Sequence, residues 1–384
     1  MHILPNAASI LVSEDCNLNC SYCFEKTKNK QKMSVETAID TYEFLLNNEI
    51  KNRENGLSHD NILLTMFGGE PMLNFETIRA TLEYVKQKKS DIKTDVMIIT
   101  NGTILTDDMA IYLKDYCTNF GTLSIQISVD GLKDSHDYYR VYKDGSGSYD
   151  IIEKNIPKFK KIFSDESFES GNNRSQLHTH GSLNKMTIRT MYDSWKHIKY
   201  VWGIPHQWMM PIHAEEWDKE DVAIYNQQLT KIANEILNLS INNKTSQFIA
   251  DFAPLNRGVR YCLNTVDKVC GAGCNYITIT ANGDIYPCHH FYFMKNSKEM
   301  KIGDIFNGID DNKRMMYLKY DGTDINCFKK GCENHNCYRC LAENYDATGS
   351  IINCKFDYRC EMSSIEHRLI ANINKILKSE GIVK

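Results

Sequence analysis

The sequence predicts an α/β fold: about six strand–helix units on a parallel sheet, then a smaller cysteine-rich α+β domain. Three observations carry that reading. Residues 8–215 alternate short apolar runs with stretches of helical periodicity, the pattern of βα units. Three of the runs end in Gly68-Gly69, Asn101-Gly102 and Asp130-Gly131, which are turn signals. Ten of the 14 cysteines follow residue 260, where turns replace periodic segments. A chain of 384 residues suits two or three domains with a sizeable core. The expected division is 1–215, a helical bridge over 216–262, and a cysteine-rich domain with a terminal helix over 263–384.

The elements follow in order. Ala8–Val12 is the first strand, and a cysteine loop follows it. Ser34 is placed to cap a helix whose apolar residues Val35, Ala38, Ile39, Tyr42, Leu45 and Leu46 recur at helical spacing. Ile62–Phe67 reads as a strand, and Asn74 as the cap of a helix carrying Phe75, Ile78, Leu82 and Val85. Val96–Thr100 is a strand, and Asp107 or Asp108 opens the next helix. Leu123–Val129 is a strand. Tyr149–Phe163 is helical, broken or restarted at Pro157. Met186–Met191 and Gln207–Ile212 read as two more strands, with 164–184 as a polar loop containing His178 and His180. Asp218–Ile241 is a long amphipathic helix. Tyr276–Thr280 and Asp284–Tyr286 flank Ala281-Asn282-Gly283 as a hairpin, and a final helix starts near Ser364. Trp195, Trp202, Trp208 and Trp217 are expected to fill the wall of the fold, as is Met209-Met210 unless it packs on a ligand.

The charge balance, 45 basic against 49 acidic residues, argues against a nucleic-acid partner, because binding phosphates needs a surplus of Lys and Arg. No stretch reaches the roughly 18 apolar residues of a membrane span. Pro5 and Asn6 interrupt the first apolar segment, which excludes a secretory signal there. A cytoplasmic protein is expected. In that compartment clustered thiols hold metal or do redox work more often than they form disulfides.

Cys16-Asn-Leu-Asn-Cys20-Ser-Tyr22-Cys23 is C-x3-C-x2-C on the loop after the first strand. Three thiolates on one loop suit three irons of a [4Fe–4S] cluster and leave the fourth open to chelation by a small molecule. The alternative is a zinc site with a fourth ligand from elsewhere, although zinc motifs usually pair C-x2-C with a second pair. Cys117 sits in an apolar helical neighbourhood and reads as a buried small hydrophobe.

This loop, with Tyr22 just before its last cysteine, resembles that of the radical S-adenosylmethionine (SAM) superfamily. Further elements match in order. Gly68-Gly69-Glu70-Pro71 is similar to that family's GGEP motif, which contacts the SAM amino group. Asn101, and Ser128 with Asp130, fall where the family contacts SAM. Arg140, after His136, resembles a carboxylate-binding Arg of related maturases. The resemblance covers roughly residues 8–215 and implies a partial (β/α)6 barrel with SAM bound at the strand ends. It also implies that the reduced cluster cleaves SAM to a 5′-deoxyadenosyl radical, which takes a hydrogen from substrate. A reductant such as flavodoxin or ferredoxin would supply the electron.

The later cysteines resemble a SPASM domain, which implies two auxiliary [4Fe–4S] clusters. The resemblance rests on Cys270-Gly-Ala-Gly-Cys274 followed by Gly283-Asp-Ile-Tyr-Pro287-Cys288, and on Cys337-Tyr-Arg-Cys340. Candidate ligands are Cys270, Cys274, Cys288, Cys327, Cys332, Cys337, Cys340, Cys354 and Cys360, with Cys262 the weakest. The family's usual next segment, C-x2-C-x5-C-x3-C, is absent, because no cysteine follows Cys340 until Cys354. A zinc knuckle on Cys327, Cys332, Cys337 and Cys340 is the alternative.

SPASM-bearing enzymes of this superfamily mostly modify peptides or proteins. In anaerobic sulfatase maturases, which form formylglycine, an Asp follows the Cys of the Tyr-Pro-Cys motif. Here His289 stands there, followed by His290, and Tyr-Pro-Cys-His resembles maturases that install thioether or carbon–carbon cross-links in ribosomal peptides. His289 is the candidate catalytic base, or else only a hydrogen-bonding neighbour of a cluster. Cys16 leaves no room for a leader-binding domain ahead of the barrel, so a leader is expected on the bridge, the SPASM surface or a separate partner. A non-enzymatic iron–sulfur or zinc protein would explain the cysteines but not the glycine-rich strand ends.

Overall fold

A computed structural model of the chain describes residues 2–25, 30–163, 176–212, 215–246, 270–319, 340–353 and 357–383, with only the backbone of Gln207, Met209 and Met210. The described residues form ten strands. They are β1 Ala7–Ser13, β2 Asn61–Gly68, β3 Lys93–Thr100, β4 Thr122–Ser128, β5 Gln176–Leu183, β6 His206–Pro211, β7 Tyr276–Ile279, β8 Asp284–Tyr286, β9 Gly303–Asp304 and β10 Gly308–Ile309. They fall in two compact units. One comprises Met1–Ser128, Val141–Leu177 and Gly271–Tyr320; the other comprises Val129–Arg140, His178–Cys270 and Asp321–Lys384.

In the first unit β1 to β4 pair in parallel and in sequence order. Helices cover the connections: α1 Val35–Glu54, α2 Phe75–Lys88 and α3 Asp107–Asn119. Ser34 caps α1 as expected, its Oγ accepting from Thr37 N at 3.0 Å. Asn74 does not cap α2. Its Nδ2 donates instead to Val12 O and Met33 O, both at 3.0 Å, and so ties the helix start to the first strand. Asp107 opens α3 as expected, and Thr106 caps it, its hydroxyl accepting from Met109 N at 3.2 Å. The helix Tyr149–Ile162 runs unbroken through Pro157, because its buried face of Ile152, Ile156, Phe159 and Ile162 holds it across the lost hydrogen bond. Cys117, on α3, is half-buried rather than enclosed.

The hairpin foreseen at residues 276–286 forms, but it does not stand apart. β7 pairs in parallel with β1, Ala7 opposite Tyr276, and β8 to β10 continue antiparallel from it. β1 is buried along almost its whole length, so a partner on both edges satisfies backbone groups that water cannot reach.

In the second unit β5 pairs in parallel with β6. Two expectations fail here. Residues 176–183 are a strand, not a loop, and His178 and His180 are half-buried on it with rings 5.1 Å apart. Met186–Met191 is not a strand: a 3-10 turn at Thr187–Arg189 leads into the helix Met191–Lys196. Asn184 forces the turn, its Oδ1 accepting from Met186 N and Thr187 N, each at 2.9 Å. The helix Lys219–Asn242 begins in a capping box made by Asp218 and Asp221. It packs against the last helix, Asp357–Ser379, which starts earlier than expected. Trp195, Trp208, Tyr225, Leu229, Ile236, Met362 and Leu377 form the core between these elements. Each such buried side chain contributes about 1.5–3 kcal/mol. Trp202 is also buried, and Trp217 is partly buried with Nε1 donating to Ile212 O at 2.8 Å.

Candidate active site

In the first unit the ends of β1, β2 and β3 converge on the cysteine loop. Cys16 is buried, while Cys20, Tyr22 and Cys23 are half-buried. Cys16 Sγ accepts from Leu18 N at 3.4 Å and lies 3.8 Å from Asn101 Nδ2. Donors aimed at sulfur favour the thiolate, the form that binds iron. The loop is clamped from β2: Gly69 N donates to Ser13 O (2.8 Å) and Glu70 N to Asp15 O (2.9 Å). This approach requires glycine. A Cβ on Gly68, at φ +126°, would lie 2.1 Å from Ser13 O, and one on Gly69 would lie 2.5 Å from Asp15 O and 3.1 Å from Cys16 Cβ.

Glu70 is fully buried, and its carboxylate joins the strand ends. Oε1 accepts from Thr100 Oγ1 at 2.7 Å and Met72 N at 3.1 Å, and Oε2 accepts from Asn101 N at 2.7 Å. Burial raises its pKa to about 7, against the opposing effect of those donors. Pro71 follows at the first position of a 3-10 turn that Glu70 itself caps. Asn101 also reaches the cysteine loop, donating to Asn17 Oδ1 at 2.9 Å, and Asn17 donates to Thr103 Oγ1 at 2.8 Å. Asn17, between two cysteines, was legible only as loop composition. Ser128, half-buried, ends β4.

Cys274 and Cys288 are buried in the same unit. His289 opens a short helix beside them, its ring 4.8 Å from Phe67 and 5.4 Å from Phe24. His290 stacks on Phe24 at 4.4 Å. His289 Nδ1 is enclosed with no hydrogen-bond partner among the described residues, and burial, with His290 adding to it, pushes the imidazole well below its ordinary pKa. His289 is therefore neutral at pH 7.

The second unit holds Asp130 and Arg140. Asp130 is fully buried, with Oδ2 2.9 Å from Arg140 Nε and Oδ1 accepting from Ser182 N at 2.8 Å. Asp130 N donates to His136 Nδ1 at 3.1 Å, and burial lowers the His136 pKa to about 4. His136 is thus a neutral ring that fixes the backbone of the loop. Asp130 therefore meets Arg140 as a brace, a relation the motif alone did not reveal. Arg140 keeps 12% of its side chain exposed. Cys340 and Cys360 are half-buried in this unit, with Arg359 paired to Glu343 near them in sequence. Cys270 is also half-buried. None of the nine described cysteines forms a disulfide with another described residue, so the donor set suits iron–sulfur ligation. Cys262, Cys327, Cys332, Cys337 and Cys354 lie outside the described residues. No helix among the described residues is long and apolar enough to cross a membrane.

Comparison with known proteins agrees with this geometry. Residues 10–170 match the radical SAM superfamily, and residues 270–341 match SPASM, an iron–sulfur cluster-binding domain. The chain is 31% identical over 189 residues to the radical SAM cyclopropyl synthase TigE of Paramaledivibacter caminithermalis, covering 44% of this chain and 37% of that protein. It is 25% identical over 312 residues to a serine-type anaerobic sulfatase-maturating enzyme of Bacteroides thetaiotaomicron, covering 76% and 70%. The solved structure of anSMEcpe with bound AdoMet and Cp18Cys peptide superposes with a TM-score of 0.72 at 18% identity, over 98% of this chain and 100% of that one. The chain spans under half the length of the curated relatives that match at 30% identity or more. Motif, geometry and likeness agree: the chain has the radical SAM fold and carries a radical SAM domain followed by a C-terminal SPASM iron–sulfur domain.

Proposed function

We propose that this chain is a radical SAM peptide maturase that installs a thioether or carbon–carbon cross-link in a ribosomally made peptide. One observation carries the first half of this reading: Glu70 and Asn101 lock the ends of two strands onto the loop that presents Cys16, Cys20 and Cys23. When bound there, a [4Fe–4S] cluster and SAM supply an electron and a 5′-deoxyadenosyl radical that takes hydrogen from a substrate. The residues of the chain provide the setting. Cys16, Cys20 and Cys23 would hold iron, Glu70 and Asn101 would serve the amino group of SAM, and Arg140, braced by Asp130, is a candidate partner for a carboxylate. Cys270, Cys274, Cys288, Cys340 and Cys360, with cysteines outside the described residues, would hold two auxiliary clusters.

The peptide reading draws on the likeness to a cyclopropyl synthase and to sulfatase maturases. His289 favours cross-linking over formylglycine formation. A neutral ring walled by Phe24 and Phe67 stands where the sulfatase maturases carry an Asp base. His289 then receives the substrate proton lost on cross-linking at its unpartnered Nδ1, and the electron left after bond formation would pass to an auxiliary cluster. Flavodoxin or ferredoxin serves as reductant. The decisive experiment incubates the reduced, reconstituted protein with SAM and either a short cysteine-rich precursor or a sulfatase-derived peptide. Cross-linking removes hydrogen and retains sulfur in the first. Loss of sulfur from a cysteine of the second, with the first untouched, would replace this reading by formylglycine formation.

A further inference from the structure

Arg314 is a buried cation that the proposed reaction does not use. It lies on the helix Asp311–Leu318, and none of its surface is exposed. Its Nε donates to Gly273 O at 2.8 Å, and Nη2 donates to Cys274 O at 3.3 Å and also to Ile3 O. Its acidic neighbour, Asp311, lies 3.3 Å from Nη1 but has 58% of its side chain exposed, so water screens much of that pair. The loop that Arg314 grips is joined to the next cysteine, because Gly273 N donates to Pro287 O at 3.0 Å, beside Cys288. The same helix supports the loop from below: a Cβ on Gly273, at φ +69°, would lie 2.7 Å from the Tyr317 ring. One helical turn therefore supplies both a floor, Tyr317, and a clamp, Arg314.

A guanidinium buried among carbonyls carries a charge that dipoles only partly offset, and such burial is unfavourable unless an anion lies close. A thiolate-ligated cluster is such an anion and becomes more negative on reduction. We propose that Arg314 is a positioning residue for an auxiliary iron–sulfur cluster at Cys274 and Cys288. It fixes the ligand loop through the Gly273 and Cys274 carbonyls, and its buried charge raises the reduction potential of that cluster. The inference rests on the cluster reading given above for this loop.

The test uses the full chain, reconstituted anaerobically, with iron analysis, chelator challenge and a redox titration followed by electron paramagnetic resonance. Arg314→Met removes the charge; Arg314→Lys keeps it but loses the planar fork. In the Met variant one auxiliary midpoint falls by about 59 mV or more, a tenfold change for one electron, while the SAM-cluster signal stays. In the Lys variant the midpoint stays and iron leaves faster. Should the Met variant hold no iron, the Lys variant decides alone: an unshifted midpoint with faster loss supports the assignment, and a shifted midpoint overturns it. A Met variant with wild-type midpoint and iron retention overturns it as well. Cys288→Ala is the control for the underlying reading, since full iron content in that variant removes the cluster from this loop whatever Arg314 does.

Discussion

Replacing Glu70 by Gln isolates the cost of burying a carboxylate at the joint of three strand ends. The folded pKa is about 7, against 4.5 for the free group, and the cause is burial. Below 4.5 both folded and unfolded chains are protonated there and no cost exists. As pH rises, the unfolded chain ionises first while the folded one keeps its proton, so stability falls until pH passes about 7 and then levels off. The full difference is about 3 kcal/mol, of which about 2 kcal/mol lies between roughly pH 5.5 and pH 8. Gln cannot ionise, so it lacks this slope. It places an amide N–H against either Asn101 N or Met72 N, a penalty of about 1–3 kcal/mol that does not depend on pH. The assay is urea unfolding of both proteins at a series of pH values. The stability of wild type minus that of Glu70→Gln should decline by about 2 kcal/mol across the window. With SAM present the decline should shrink, because an ammonium beside Glu70 favours its ionised form. A flat difference, or one that rises with pH, would refute the buried-carboxylate argument.

Further expectations follow from the same geometry. Replacing Cys16, Cys20 and Cys23 together by Ala should reduce iron from about twelve to about eight per chain and abolish dithionite-driven SAM cleavage; iron analysis and product chromatography read both, and retained cleavage would move the site elsewhere. Gly69→Ala forces a Cβ to 2.5 Å from Asp15 O, so iron bound by the first loop should be lost while the auxiliary clusters remain, measured by iron count and spectroscopy. Asp130→Asn removes the charge that orients Arg140, and SAM affinity measured by calorimetry should weaken by about 1.5–3 kcal/mol with an unchanged circular dichroism spectrum; unchanged affinity would deny Asp130 that role. His289→Phe should keep SAM cleavage in the absence of peptide and lose peptide modification, read by mass spectrometry; full turnover would exclude it as the proton acceptor.

What could be read from the sequence, and what could not, divides along the range of the interactions. The cysteine loop and the strand ends were legible because each is a short contiguous pattern. Gly68 and Gly69 answer to distant backbone, Ser13 O and Asp15 O, but a Gly-Gly pair that ends an apolar run is a turn signal in its own right. β5 was misread for the opposite reason. Its inward side is Leu177, Thr179, Gly181 and Leu183, and two of these look like loop residues. Gly181 is small because Trp208 fills the space a Cβ would need, at 2.7 Å, and Thr179 is polar because His206 Nδ1 lies 2.8 Å from its hydroxyl. Neither cause is visible near residue 180, since both sit on the neighbouring strand. Arg314 is the extreme case: the three carbonyls it grips lie 41, 40 and 311 residues away. A lone Arg in an amphipathic helix reads as a solvated face, and only the path of the chain reveals that its Nε and Nη2 donate to buried carbonyls. The chemistry that this fold presents is therefore encoded locally, while the rigidity that holds it in place is encoded by residues that look unremarked until the strands are paired.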